Sequence, residues 1–469
     1  MCCLQRAEVS TGFFYQKLSD AYNRLTDRFH DVIMKGIGEP GLTASLVDFL
    51  VWPKDKNKVK DKARFEMEAH EHPQLYIPWL LFDWIPDPRD FKGKLPIPSN
   101  STVAEMLLND SQMRVDPLER KIAEAAVSRP HSFYEVLDCW PGKGFRLKDV
   151  FLGEEYDVSE RLGSEQARCG DFLFARVIQI DTVAMLAGAG TLLFPPSYKP
   201  ELIRFRQFLK DIAGRPAITA KDLDDYAVEL RVLFFDLYHQ MMQPPQMRNT
   251  DGDALVFHRV HYKIDSVQEA FDALKSLCVT ESPKQILSGA ELDAAGRVRK
   301  VEFPWSRKGH KQMRALTNTI LGHIRIEDRN LKIEVNSAER AAQIRREVEA
   351  RLAGRAKYRT TEIISPEAYK EPFAAQAKAG SSLDEELLKS PELQKEVARV
   401  FESHWAGWVN TKIPALGGIT PRQAVKTEDG QESVAALLAQ AERDASNFPQ
   451  MPEAALEAIR KTRLKLGLS

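Results

Sequence analysis

The sequence predicts a mixed α+β protein, and three observations carry that reading. Residues 11–130 hold apolar side chains at three- and four-residue steps. Residues 131–196 break into short runs rich in β-branched and aromatic residues, separated by turn signals. An alternating run at 256–264 then opens a region in which strands and helices interleave. With 469 residues, 43% of them apolar and 28% charged, the chain has material for several buried cores and lies outside the composition of disordered chains.

Residues 1–130 read as a helical region. In "FFYQKLSDAYNRLTDRFHDVIM", Phe14, Leu18, Tyr22, Leu25, Phe29 and Val32 make one apolar stripe, as an amphipathic helix requires. A basic run, "KDKNKVKDKARFEMEAHEHP", leads to the aromatic patch "LYIPWLLFDWIPDP", which Pro78, Pro86 and Pro88 break into short pieces. "STVAEMLLNDSQMRVDPLERKIAEAAV" supplies two further helices, the first opened by a capping box from Thr102 to Glu105. Residues 131–245 begin with "SFYEVLDCW", "FRLKDVFLG", "EYDVSERL" and "DFLFARVIQI", divided by "PGKG" and "RCGD". Roughly four to six strands in so short a stretch suggest a small β-barrel or sandwich. Helices follow, among them the largely apolar "LRVLFFDLYHQMM".

In residues 250–365, Val256, His258, Val260, Tyr262 and Ile264 alternate along a strand with one core face. A helix near 266–277 follows, then strands near 298–304, 319–327 and 330–336, the last two joined at "EDRN". Asn336 or Ser337 caps "AERAAQIRREVEARLAG", Gly354 stops it, and "KYRTTEI" closes the unit. The order β-α-β-β-β-α-β predicts an elaborated ferredoxin-like α/β sandwich. After the polar linker "QAKAGSSLDEE", residues 385–469 form a C-terminal helical module with Trp405, Trp408 and Ile413 as expected anchors. There Gly417-Gly418 stops one element, Thr420 and Pro421 start the next as N-cap and first helical residue, and Gly430 separates that helix from "QESVAALLAQAER".

The balance of 66 basic against 67 acidic residues provides no global field for nucleic acid or anionic lipid. The longest membrane candidate, "TVAMLAGAGTLLFPP", is too short to span a bilayer, so no membrane association is expected. Glu8, Asp20 and Asp27 interrupt the first thirty residues, against a signal peptide, and the scattered Cys139, Cys169 and Cys278 suit a reducing, cytoplasmic setting. Neither GxxxxGK[ST], GxGxxG, GxSxG nor HExxH occurs, and "PGKGF" is a hairpin turn around Gly142 and Gly144. No residue is therefore assigned a catalytic or cofactor-binding role.

Some weaker constellations remain. In "FEMEAHEHP", with Glu66, Glu68, His70, Glu71 and His72, only Glu68 and His72 have the spacing to share a helical face toward a metal; the charged surroundings favour an exposed acidic face. His258 and His261 fall on opposite faces of a strand, with His258 a core histidine making one hydrogen bond. Lys54, Lys56, Lys58, Lys60, Lys62 and Arg64 would meet phosphates, but Asp55 and Asp61 halve their field and no aromatic platform lies among them. The acidic "EEYDVSE" argues against RNA on the barrel-like segment. Asp149, Glu154, Asp171 and Arg176 are dispersed polar candidates for an enzyme of unassigned reaction, and no pattern selects them.

The most unusual stretch is "MCCLQR", which pairs Cys2 with Cys3 in a chain of only 5 cysteines. It resembles the end of the SEC-C zinc motif, C-x-C-G-S-G-x-K-Y-K-x-C-C, in which a tight turn brings a leading thiolate pair back to a trailing one. "WLLFDWIPDP", "SFYEVLDCWPGKGFRLKDVFLGEEYDVSER", "GDFLFARV", "LGHIRIEDRNLKIEVNSAERA" and "IPALGGITPRQAVKTEDGQESVAALL" resemble segments of long SEC-C-bearing bacterial proteins of uncharacterised function. The last is also similar to the toxin-binding domain of Xre/MbcA/ParS-type antitoxins. The resemblance implies a cytoplasmic binding or adaptor protein that acts through protein–protein contacts, with Cys2 and Cys3 as metal ligands. Two thiolates cannot hold a structural zinc, so zinc is expected only in an upstream-extended form and no cofactor in this chain. The alternatives are a nucleic-acid-associated protein using the small β segment and the lysine-rich helix, or an enzyme.

Overall fold

The computed structural model describes residues 2–51, 68, 70–86, 100–111, 113–243, 247–309, 317–364, 390–446 and 452–468. These form a mixed α+β protein of two compact units. The first comprises Met1–Gln243, Lys412–Arg443 and Leu468; the second comprises Pro244–Thr411, Asp444–Gly467 and Ser469.

In the first unit, α1 (Cys2–Phe49) kinks at Gly38, whose φ of 61° breaks the helical path. The predicted stripe faces inward: Leu18, Leu25 and Phe29 are fully buried. α2 (Pro73–Phe82), α3 (Val103–Asn109) and α4 (Pro117–Ser128) pack beside it in one apolar cluster. The predicted capping box is present: Glu105 N donates to Thr102 Oγ1 at 3.2 Å, and Thr102 N donates to Glu105 Oε2 at 2.8 Å.

The next residues form a closed barrel of β1 (Ser132–Trp140), β2 (Gly144–Asp149), β3 (Glu155–Ser159), β4 (Phe172–Ile180) and β5 (Val183–Ala189), in the order β1-β2-β3-β5-β4. β3 and β5 pair parallel and the other pairs are antiparallel. The period-two pattern of β4 serves two cores. Leu173, Ala175 and Val177 fill the barrel, while Phe172, Phe174 and Ile178 face the helical cluster. A Cβ at Gly144 (φ +153°) would stand 2.1 Å from the Val158 carbonyl oxygen, so only glycine permits this strand approach. α5 (Arg161–Gln166) spans β3 to β4, and α6 (Lys199–Ala213), α7 (Ala220–Asp225) and α8 (Ala227–Met242) complete the sequence-continuous part.

The second unit holds a six-stranded sheet, ordered β11-β6-β10-β9-β8-β7, with every pair antiparallel. In chain order it contains β6 (Phe257–Ile264), α9 (Val267–Leu274), α10 (Pro283–Ser288), β7 (Glu291–Leu292), β8 (Val298–Lys308), β9 (Asn318–Glu327), β10 (Asn330–Val335), α11 (Ala338–Leu352) and β11 (Ala356–Ile364). The four strands β11-β6-β10-β9, crossed by α9 and α11, keep the split β-α-β arrangement expected of a ferredoxin-like sandwich. β8 and β7 extend it on one edge. The turn joining β9 to β10 holds Asp328 at φ 52°, and Ser337 rather than Asn336 caps α11, its Oγ accepting from Arg340 N at 3.1 Å.

Toward the C-terminus lie α12 (Pro391–Trp408), α13 (Pro421–Ala424), α14 (Glu428–Ser446) and α15 (Pro452–Lys465). α12 packs against α15 within the second unit. Trp405 and Trp408 are half-buried rings 5.2 Å apart, and the fully buried residue beside them is Val409. The tryptophans expected as anchors are therefore only partly enclosed.

Candidate functional site

Residues 412–443 build a compact, well-capped piece of the first unit. Ile413 N donates to Ile419 O at 3.0 Å, closing a loop around the single turn Pro414–Leu416. Gly417 and Gly418, at φ 72° and 79°, reverse the chain. Thr420 then caps α13 reciprocally with Gln423: Gln423 N donates to Thr420 Oγ1 at 3.2 Å, and Thr420 N donates to Gln423 Oε1 at 3.0 Å. α13 runs directly into α14, and a Cβ on Gly430 would lie 1.9 Å from the Ala424 carbonyl oxygen. Thus the glycine read as a separator is a point of backbone contact between the two helices. Ile419 is 43% exposed, and Arg422, Gln423 and Lys426 are exposed as well.

Other residues of this segment meet α6 and the start of β4. Arg206 Nη2 donates to Asp429 Oδ1 at 2.5 Å and Glu432 Oε1 at 2.9 Å, while Gln207 Nε2 donates to Asp429 Oδ2 at 3.1 Å. Arg204 Nη1 donates to Ala415 O at 2.8 Å. Arg443 donates to Asp171 Oδ1 at 2.5 Å and to the Cys169 carbonyl at 3.0 Å. Lys199 lies 2.8 Å from Glu135 and 3.7 Å from Glu432. Burial alone would raise the Asp429 carboxyl, but Gln207 and Arg206 hold it below its ordinary range. Beside these pairs is a cavity of about 540 Å³ whose lining includes Lys148, Asp149, Lys199, Arg206, Lys210 and Glu432.

A second polar group lies buried between the barrel and the N-terminal helices. Arg176, on the outward face of β4, is fully enclosed and pairs with Asp83. Its Nη2 also lies 3.2 Å from His131 Nδ1, and His131 Nδ1 is 3.4 Å from Asp83. Burial, reinforced by the Arg176 cation, pushes the His131 imidazole down to about 4, so it is neutral at ordinary pH. Burial would raise Asp83, yet Arg176 and His131 keep it ionised below the usual carboxylate range. Tyr22 Oη, His131 Nε2, and Arg176 Nε and Nη1 have no hydrogen-bond partner among the described residues.

The four dispersed enzyme candidates do not converge. Asp149 is 1% exposed, and its Oδ1 accepts from Ser132 Oγ, Phe151 N and Leu152 N at 2.8 to 2.9 Å. Burial nonetheless pushes it up to about 6. Glu154 pairs with Arg129 at 2.6 Å and with the Tyr156 hydroxyl, Asp171 serves Arg443, and Arg176 belongs to the Asp83–His131 group. The expected exposed acidic face in "FEMEAHEHP" is corrected at two positions. Glu68 and His72 are buried, with Glu68 Oε1 3.0 Å from His239 Nε2 and His72 ringed by Phe234, Phe235 and Tyr238. The aromatic face of α8, far away in sequence, covers them. His258 is buried with one hydrogen bond, Nδ1 to Val256 O at 2.8 Å, as expected, and His261 is half-exposed near Glu362.

The lysine run at 54–64 and the side chains of Cys2 and Cys3 lie outside the described residues. Among the described residues no group of three or more His, Cys, Asp or Glu side chains is placed to hold a metal, and no helix is long and apolar enough to cross a membrane. The site residues missed from sequence, notably Asp83, His131, Arg206, Asp429, Glu432 and Arg443, pair across 45 to 274 positions and so leave no local signal: Asp83 with Arg176 at a separation of 93 and Asp171 with Arg443 at 272 are examples.

Residues 397–443 match the family described as the antitoxin Xre/MbcA/ParS C-terminal toxin-binding domain. Residues 100–219 match a family of unknown function, DUF7986. No curated protein and no solved structure matches the chain. The chain therefore carries a C-terminal segment similar to a protein-binding domain, joined to a region similar to proteins of unknown function.

Proposed function

We propose that this chain is a binding or adaptor protein whose C-terminal segment engages a protein partner, of the toxin class that the matched family is named for. The observation that carries the reading is the segment's match together with its build: a doubly capped, glycine-reversed connector that holds Ile419 out to solvent beside Arg422, Gln423 and Lys426. Within a segment that matches a protein-binding domain, Ile419 is the apolar side chain placed to act as an anchor, with the polar residues as its rim. Under the same reading Cys2 and Cys3 are ligands of a zinc knuckle, which needs further donors besides these two thiolates.

The test is capture of partners on the tagged full chain, compared with Ile419→Asp. Ile419 is 43% exposed and its bond to Ile413 is made by the backbone, so the variant keeps the fold, which circular dichroism checks. Loss of a defined partner by about tenfold or more supports the reading, since truncating an interface anchor costs at least that much. Equal capture by the variant overturns it. Zinc content measured on an upstream-extended chain, against the present one, tests the knuckle separately.

A further inference from the structure

One side of the C-terminal segment is already occupied by this chain itself. Ala415, Asp429, Glu432 and Arg443 lie within the toxin-binding-type match, and their partners Cys169, Asp171, Lys199, Arg204, Arg206 and Gln207 all lie within the second matched region, 100–219. The contact has two poles of opposite sign. At one, Arg206 on α6 holds the two carboxylates at the start of α14; at the other, Arg443 near its end reaches the buried Asp171. Asp429 stands in the first turn of α14, where the helix dipole favours a carboxylate.

The named contacts are all polar. The large apolar clusters of the first unit contain no residue of 412–443 among the described residues. The identified contacts of the segment with α6 and the barrel are ion pairs and hydrogen bonds, while Val434 and Leu438 on α14 are fully buried besides. Pairs of this kind change an equilibrium by roughly a few-fold each and weaken as salt screens them. Such pairs set the register of the docked segment and make its closure sensitive to salt and to charge reversal.

We propose that this contact is a reversible latch, in which residues 412–443 dock in cis on α6 and the β4 edge and a protein partner competes for the same face. The competing partner carries the complementary pattern: a guanidinium or ammonium opposite Asp429 and Glu432, and a carboxylate opposite Arg443. The region 100–219 supplies that pattern internally through Arg206 and Asp171. This rests on the adaptor reading for the partner's existence, but the latch itself is measurable without any partner.

The experiment is hydrogen exchange, followed by mass spectrometry, on the full chain and on Arg206→Glu, at low and high sodium chloride. Exchange across residues 431–443 should rise by about tenfold in Arg206→Glu and by a smaller factor at 1 M salt in the unmutated chain. Exchange across β1 and β4 should stay unchanged. Arg206→Lys keeps the positive charge opposite Asp429 and Glu432 and should raise exchange of 431–443 far less. Unchanged exchange of 431–443 in Arg206→Glu, or an equal rise in Arg206→Lys, overturns the latch. Capture of the partner defined above should increase in Arg206→Glu; unchanged capture despite loosened 431–443 overturns competition. If Ile419→Asp leaves capture intact, the adaptor reading fails while the exchange result still decides the latch.

Discussion

Replacing Asp149 by Asn isolates the cost of a buried carboxylate, and the structure supplies both the magnitude and the sign. Asp149 closes β2 and holds the following loop by three hydrogen bonds, from Ser132 Oγ, Phe151 N and Leu152 N, all of them to Oδ1. Asn presents the same carbonyl oxygen in the same place, so the three bonds survive. Its amide group takes the place of Oδ2, and Asp149 is among the residues that line the 540 Å³ cavity. What disappears is the ionisation. Burial pushes this carboxyl from 3.8 to about 6, despite the three donors that oppose the shift. A rise of about two units corresponds to roughly 3 kcal/mol by which folding disfavours the charged form.

The folded carboxyl binds its proton more tightly than the unfolded one, so its contribution is most favourable below about pH 4. It falls as pH rises toward 6 and is constant above. His131 acts in the opposite sense: with its folded value depressed to about 4, it favours folding above pH 6.5 and loses that contribution as pH falls. The histidine is common to both proteins and cancels in their difference. The stability of Asp149→Asn relative to the parent should therefore improve by about 2.5 kcal/mol between pH 4 and pH 7.5. The assay is native-state exchange of the slowest amides in β1, β2 and β4, with both proteins compared at each pH so that intrinsic chemistry cancels. A difference that stays flat within about 1 kcal/mol, or changes in the other direction, would refute the reasoning.

The buried group around Arg176 makes a second prediction. Asp83→Ala strands a fully enclosed guanidinium and should destabilise the first unit by about 3–5 kcal/mol, whereas Asp83→Leu with Arg176→Met removes both charges and should cost far less, as read by the same barrel amides. At Gly430, a methyl group would meet the Ala424 carbonyl at 1.9 Å, so Gly430→Ala should separate α13 from α14 and speed exchange at 421–431 by tenfold or more, leaving the barrel protected. Gly144→Ala, whose Cβ would sit 2.1 Å from the Val158 carbonyl, should instead open the β2–β3 edge and lower the thermal midpoint of the first unit.

Local rules were sufficient for most of the elements. The capping boxes at Thr102 and Thr420, the hairpin at Asp328 and the reversal at Gly417-Gly418 all depend on residues within three or four positions of one another, where side-chain type alone sets the geometry. Hydrophobic period separated the helical stripe of α1 from the strands of the barrel for the same reason. Burial of polar residues was less legible. Glu68 and His72 sit in a charged stretch that reads as solvated, yet aromatic residues of α8 about 160 positions away enclose His72, and His239 meets Glu68 at a separation of 171.

Taken by itself, the sequence determined the α+β class, the order of the elements and their caps, and the likeness of the C-terminal stretch to a protein-binding domain. Only the tertiary structure decided that Asp429, Glu432 and Arg443 meet Arg206 and Asp171, and that Arg176 is closed in with Asp83 and His131. Charges act through space with a strength set by distance and surrounding dielectric, and neither quantity is written in the spacing of residues along the chain.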